Sequence, residues 1–156
     1  MNKELNIVMV EPEIPPNTGN VARLCAATGA VLHLVKPLGF SLEDKYLKRA
    51  GLDYWDMLDI IIYENFAEFE KRNPVGTRYP ATTKGGRAHT DISYEPGGFL
   101  LFGKETKGLA PEILETYRET TIRLPMRREA RSLNLSNSVA VVAYEVLRQW
   151  GFPGLV

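Results

Sequence analysis

Short runs of apolar and β-branched residues recur along this chain at Leu5–Val10, Val31–Val35, Leu58–Tyr63, Phe99–Phe102 and Thr120–Leu124, with a weaker one at Arg78–Thr82. Each has the length of a single strand, and helix-like stretches lie between several of them. That alternation restricts the fold to an α/β class with a mainly parallel sheet flanked by helices. In an open sheet of that kind, ligands bind in the crevice at the carboxyl ends of the strands.

Two helices are well defined by pattern. The first is expected from near Asn17, where PPNTGN ends a loop with two prolines and supplies a side-chain oxygen to cap free N–H groups. Val21, Leu24, Cys25 and Thr28 form its apolar face, Arg23 falls off that stripe, and Gly29 is placed to stop it. The last helix is expected from about Asn134 to Trp150. Leu135, Val139, Val142, Val146 and Trp150 share one face, Ala143 and Leu147 widen it, and Gly151 and Pro153 end it. Glu64–Pro74 reads as a surface helix and Thr83–Gly98 as a loop.

The chain has 156 residues, close to the commonest domain size, so residues 1–156 are expected to form a single domain. No apolar run is long enough to span a bilayer and the N-terminus lacks a signal-peptide plan, which points to the cytoplasm. A single cysteine excludes an internal disulfide or a Cys-based zinc site. Lys+Arg and Asp+Glu both number 19, which argues against a protein that holds nucleic acid by bulk charge. Local basic clusters remain: Lys45, Lys48 and Arg49; Lys84 and Arg87; Arg127, Arg128 and Arg131. Each is also compatible with a solvated face.

Three segments at strand ends are unusually rich in Gly, Asn, Ser and Pro. The first runs from Glu11 to Asn20 and on to Arg23; exposed helix N–H groups and the arginine could meet an anion, although spacing alone favours a helix cap with a solvated arginine. The second runs from Phe99 to Leu109, where Gly103 and Gly108 permit close backbone approach and Glu105 leaves a carboxylate beside it. A charged turn with a left-handed glycine explains it equally well. The third is Ile122-Arg123-Leu124-Pro125-Met126, followed by Ser132-Leu133-Asn134-Leu135-Ser136-Asn137-Ser138. Its alternating Ser and Asn side chains could face a ligand, but a helix N-cap needs only one of them.

These segments, N-x-G-N-x-x-R, F-G-x-E-x-x-G-L and I-x-L-P-M…S-L-N-L-S-N-S-V-A, resemble motifs one, two and three of the SPOUT methyltransferases, in the family's order. EPEIPPNTGN, KRAGLDY, TTKG and RSLNLSNSV resemble the minimal single-domain branch that acts on the wobble ribose of tRNA, and the likeness runs from the first strand to GFPG. The resemblance implies a SPOUT α/β fold with a C-terminal trefoil knot, S-adenosylmethionine bound in that knot, a homodimer with the last helix at its interface, and a tRNA substrate. It implies cofactor contacts around Ala81, Gly103, Leu124, Met126, Ser132 and Leu133. Arg23, Asn17, Glu105, Asn134 and Ser136 would frame the reacting ribose. Arg131 and Tyr144 match positions linked to tRNA handling or catalysis, and Arg127 and Arg128 are expected to contact RNA. Ala81 stands where the family pattern leads one to expect a larger aliphatic residue.

The expected reaction is methyl transfer to the 2′-hydroxyl of the wobble cytidine or uridine. A non-catalytic RNA-binding module of the same fold, or the same chemistry on ribosomal RNA, are the alternatives. A sulfonium methyl is already activated, so no metal is required of the site, and Arg23 suits orientation better than proton removal. Cys25 reads as core. His33 and His89 lack the clustered partners of a metal site. The chain contains neither a phosphate-binding G-x-x-x-x-G-K-[ST] loop nor G-x-G-x-x-G.

Overall fold

The structure is a computed structural model that describes residues 4–43 and 58–156. Lys45, Lys48, Arg49 and the KRAGLDY segment lie outside the described residues.

Five strands form a parallel sheet: β1 (Asn6–Val10), β2 (Val31–Val35), β3 (Ile60–Tyr63), β4 (Arg78–Pro80) and β6 (Phe99–Phe102). Their order is β3-β2-β1-β6-β4, with Asn6 opposite both Val31 and Phe99. A parallel sheet buried on both faces needs apolar side chains on both, and β1 supplies them without polar alternation. Ile7 and Met9 join a core with Leu32, Leu34, Leu100 and Phe102, and Val8 and Val10 join another with Val35, Tyr63, Phe99 and Leu101.

The helices divide between those faces. Helix α1 (Pro15–Thr28) and helix α4 (Leu135–Trp150) cover the first core through Val21, Cys25, Val139, Val142 and Val146. Helix α2 (Phe66–Arg72) and helix α3 (Pro111–Thr116) cover the second through Phe69 and Ile113. The apolar stripe expected on the last helix is the buried one, with Leu135 and Trp150 packed at its margins. Gly151 ends α4 at φ 78°, and Phe152 N–H reaches back to Leu147 O at 2.8 Å. None of the helices of the described residues is long and apolar enough to cross a membrane.

Two expectations need correction. Helix α1 begins at Pro15 and not near Asn17, and no side chain caps it. Prolines at the first positions carry no N–H to satisfy, and Asn17 N–H bonds Ile14 O at 3.1 Å. The stretch Thr83–Gly98 also contains a strand, β5 (Arg87–Ala88), paired in parallel with β7 (Ile122–Arg123). The run expected at Thr120–Leu124 is thereby shortened, because a 3-10 turn occupies Arg118–Thr120.

Ile122 pairs with Arg87 on one side and bridges Ala81 on the other. Thr82 N–H donates to Ile122 O at 3.0 Å. Strand β7 therefore lies between the two arms of the segment that leaves β4, although it follows that segment by more than thirty residues.

Candidate active site

The strand order changes direction at β1 and β6. After β1 the chain moves outward through β2 to β3, and it then crosses to β4 and returns to β6 beside β1. The loops that leave the carboxyl ends of β1 and β6 consequently face each other at a switch point.

Glu105, from the loop after β6, reaches across that point. Its Oε1 accepts from Glu13 N–H at 2.9 Å, and its Oε2 accepts from Ile14 N–H at 2.8 Å and from Asn17 Nδ2 at 3.1 Å. A carboxylate thus sits where α1 begins, the position its dipole favours. Because prolines open the helix, the Asn17 side chain is not needed as a cap and turns inward.

The carboxylate is acceptor-only, which orients the rest of the network. Asn17 points Nδ2 at Glu105 and leaves Oδ1 to accept from Asn134 Nδ2 at 3.1 Å. Asn134 caps α4 through Asn137 N–H, and its Oδ1 also accepts from Ser136 Oγ at 2.7 Å. A directed chain, Ser136 to Asn134 to Asn17 to Glu105, therefore ties together the three segments singled out from sequence. Asn17 and Ser136 are buried, while Asn134 is exposed at the edge of the network. Arg23 lies on the exposed side of α1 with Asn20 and Ala27.

Sequence reasoning missed a second link between the same loops. Glu13 gives its N–H to Glu105 and accepts from Thr106, at 3.0 Å from N–H and 2.8 Å from Oγ1. Those Thr106 hydrogen bonds hold the Glu13 carboxyl below its ordinary range. The glutamate was visible in EPEIPPNTGN, but its partner is 93 residues away and no local spacing signals it.

The cofactor-lining candidates divide into two sets. Ala81 and Leu124 are half-buried against the core beside β7, whereas Ser132 and Leu133 are exposed ahead of α4 and Met126 lies half-buried between them. Among the described residues the N–H groups of Leu124, Met126 and Leu133 bond no protein acceptor. Apolar side chains around open backbone donors fit an adenine ring and its ribose. Gly103 has a steric reason to be glycine whatever approaches it: a Cβ there would lie 2.1 Å from Gly108 C and 2.2 Å from Leu109 N. Its close neighbour is its own turn, closed by Gly108 N–H to Lys104 O at 2.9 Å.

Arg127, Arg128 and Arg131 are exposed between β7 and α4, and Tyr144 is exposed on the outer side of α4 near Val141. Cys25 and His33 lie apart from the network. Burial pushes the Cys25 thiol up to about 12, as befits a core residue. Burial, reinforced by Arg72 and Arg78, pulls His33 down to about 4.

Comparison with known proteins follows the same lines. A curated tRNA (cytidine(34)-2'-O)-methyltransferase of Yersinia pestis is 51% identical over 156 residues, covering 96% of each chain. A solved structure described as giving insight into the 2-OH methylation of C/U34 on tRNA is 43% identical, covers 96% of this chain and 97% of that one, and superposes with a TM-score of 0.91. An AdoMet-bound rRNA methyltransferase from Sinorhizobium meliloti shares the fold at a TM-score of 0.86, with 22% identity over 95% of this chain and 57% of that one. The family model described as SpoU rRNA Methylase matches residues 4–144, a span that contains the β1, β6 and β7 loops and their hydrogen-bonded network. The chain belongs to the SpoU methylase family.

Proposed function

We propose that this protein is a tRNA 2′-O-methyltransferase that transfers the methyl group of S-adenosylmethionine to the ribose of the wobble cytidine or uridine. The observation that carries this reading is the Ser136–Asn134–Asn17–Glu105 chain, which joins the three motif segments at the switch point of the sheet. Relatives with half of their residues identical over nearly the whole chain support tRNA over ribosomal RNA. Residues 1–156 act as one SPOUT domain. A trefoil knot is supported by the position of β7 between Ala81 and Arg87. A tRNA substrate supports a cytoplasmic location.

S-adenosylmethionine supplies an activated methyl group. Ala81, Leu124, Met126, Ser132 and Leu133 hold it by apolar contact and backbone hydrogen bonds, with the Gly103 turn forming the adjoining wall. Glu105 is a positioning residue: it fixes Asn17 and the entry of α1, so that Asn134 and Ser136 keep one orientation toward the ribose. Arg23 orients the hydroxyl electrostatically, since a guanidinium stays protonated. Arg127, Arg128, Arg131 and Tyr144 contact the RNA. A homodimer through α1 and α4 brings Arg23 of one subunit to the cofactor site of the other. The exposed Val141 and Tyr144 on α4, beside the polar outer side of α1, support that contact.

Alkaline hydrolysis tests the chemistry. RNA strands break through the 2′-hydroxyl, so label transferred to a ribose oxygen is recovered in an alkali-resistant dinucleotide. Label recovered in mononucleotides would mean base methylation and contradict the proposal.

A further inference from the structure

A net charge of zero conceals an uneven distribution. Lys36, Arg72, Arg78, Lys104, Arg118 and Arg148 each lie 2.9–3.7 Å from a glutamate oxygen. Lys84, Arg87 and Arg123 are exposed and form no ion pair among the described residues. The acids nearest in sequence to this group are Asp91 and Glu119, four residues from Arg87 and Arg123 respectively, and Glu119 directs its carboxylate to Arg118 at 3.7 Å.

The two arginines are nevertheless positioned. Arg87 Nη2 donates to Glu119 O at 2.9 Å, and Arg123 Nη1 donates to Gly86 O at 2.7 Å. One nitrogen of each guanidinium is anchored to a backbone carbonyl, which leaves further N–H donors of a planar fork directed elsewhere. Thr82 Oγ1 accepts from Lys84 N–H at 3.1 Å, and Gly86 is left-handed at φ 77° with Thr121 O only 2.8 Å from where a Cβ would sit. The loop after β4 is therefore pressed onto β7 in one shape. Its cations stand one to six residues beyond Ala81 and Ile122, the pair that bridges β4 to β7.

We propose that Lys84, Arg87 and Arg123 form a phosphate-binding ridge that grips the sugar–phosphate backbone of the RNA beside the target nucleotide. This rests on the RNA methyltransferase reading and extends the RNA surface beyond Arg127, Arg128 and Arg131 to the loop after β4. Fixed guanidinium forks suit phosphate oxygens, and cations that form no ion pair among the described residues have none to break on binding.

The test is tRNA binding across a range of salt, with the melting temperature as the check on folding. Replacing Lys84→Ala together with Arg87→Ala should weaken binding about tenfold near 0.1 M salt and reduce the log–log salt slope by about 2. Lys84→Arg with Arg87→Lys should recover most of the slope. A folded double-alanine variant with unchanged affinity and slope overturns the ridge, whether or not the wild type transfers methyl groups. A weakened variant alongside a wild type that transfers none leaves the ridge standing and defeats the functional reading. If the double variant does not fold, Lys84→Glu replaces it: weaker tRNA binding supports the ridge, and wild-type binding overturns it.

Discussion

A carboxylate with three donors aimed at it tolerates little change. In Glu105→Gln one of the two oxygens becomes an NH2 group, which must face a backbone N–H or the Asn17 amide. We expect a loss of about 2 kcal/mol, or roughly 4–8 °C in Tm, together with at least a tenfold fall in kcat/KM. Thermal unfolding and steady-state assays check both. His33 offers a pH test. Its Nδ1 lies 2.8 Å from Tyr63 OH and its Nε2 lies 2.9 Å from Asn6 Oδ1. Asn73 Nδ2 donates to Tyr63 OH and Asn6 Nδ2 donates to Gly98 O, so the ring is neutral with the proton on Nε2. The folded state holds this histidine at about 4 against an ordinary 6.5, and the unfolded chain therefore takes up the proton first. The stability it contributes is complete above about pH 6.5 and is lost as pH falls toward about 4, on the order of 3 kcal/mol in all. Urea unfolding at pH 7 and pH 4.5 should show that loss in the wild type and a flatter response in His33→Gln.

At the scale of elements, two glycines in one turn separate crowding from backbone conformation. Gly108 has φ 69° with open space around its missing Cβ, whereas the Cβ of a residue 103 side chain would collide with backbone. Gly108→Ala should cost about 1–2 kcal/mol, the ordinary penalty of a left-handed alanine. Gly103→Ala should cost more and displace the loop that carries Glu105, which comparative melting curves will show. The same turn marks how far sequence carries. The sheet strands and α4 were legible because burial imposes a regular apolar pattern on them. The start of α1 was not, because two prolines remove the N–H groups that a cap would satisfy. Strand β5 is a two-residue strand, Arg87–Ala88, whose ladder partner β7 lies more than thirty residues further on, so it has no local signature. Asn17, Glu105, Asn134 and Ser136 were legible as candidates. Their hydrogen bonds were not, because the bonds that join the loops span 88 residues or more.

The molecule combines a sheet whose switch point gathers the motif residues with a helical side on which, among the described residues, Val141 and Tyr144 stay exposed. Val141 and Tyr144 are each almost half exposed on α4, which already packs α1 beside it. A two-fold dimer through those helices would cover them and place Arg23 against the cofactor site of the partner. Mixing folded, inactive Arg23→Ala and Leu133→Glu proteins under subunit exchange should then restore part of the activity, since one site in a mixed dimer is intact. Activity that stays absent after exchange, verified by native mass spectrometry, would place Arg23 in its own chain's site. The central claim concerns a single oxygen atom and is tested by removing it. A tRNA with one 2′-deoxyribose at the wobble position should accept no methyl group, while the same tRNA with ribose there is methylated. Undiminished transfer to the deoxy-substituted tRNA would contradict the account.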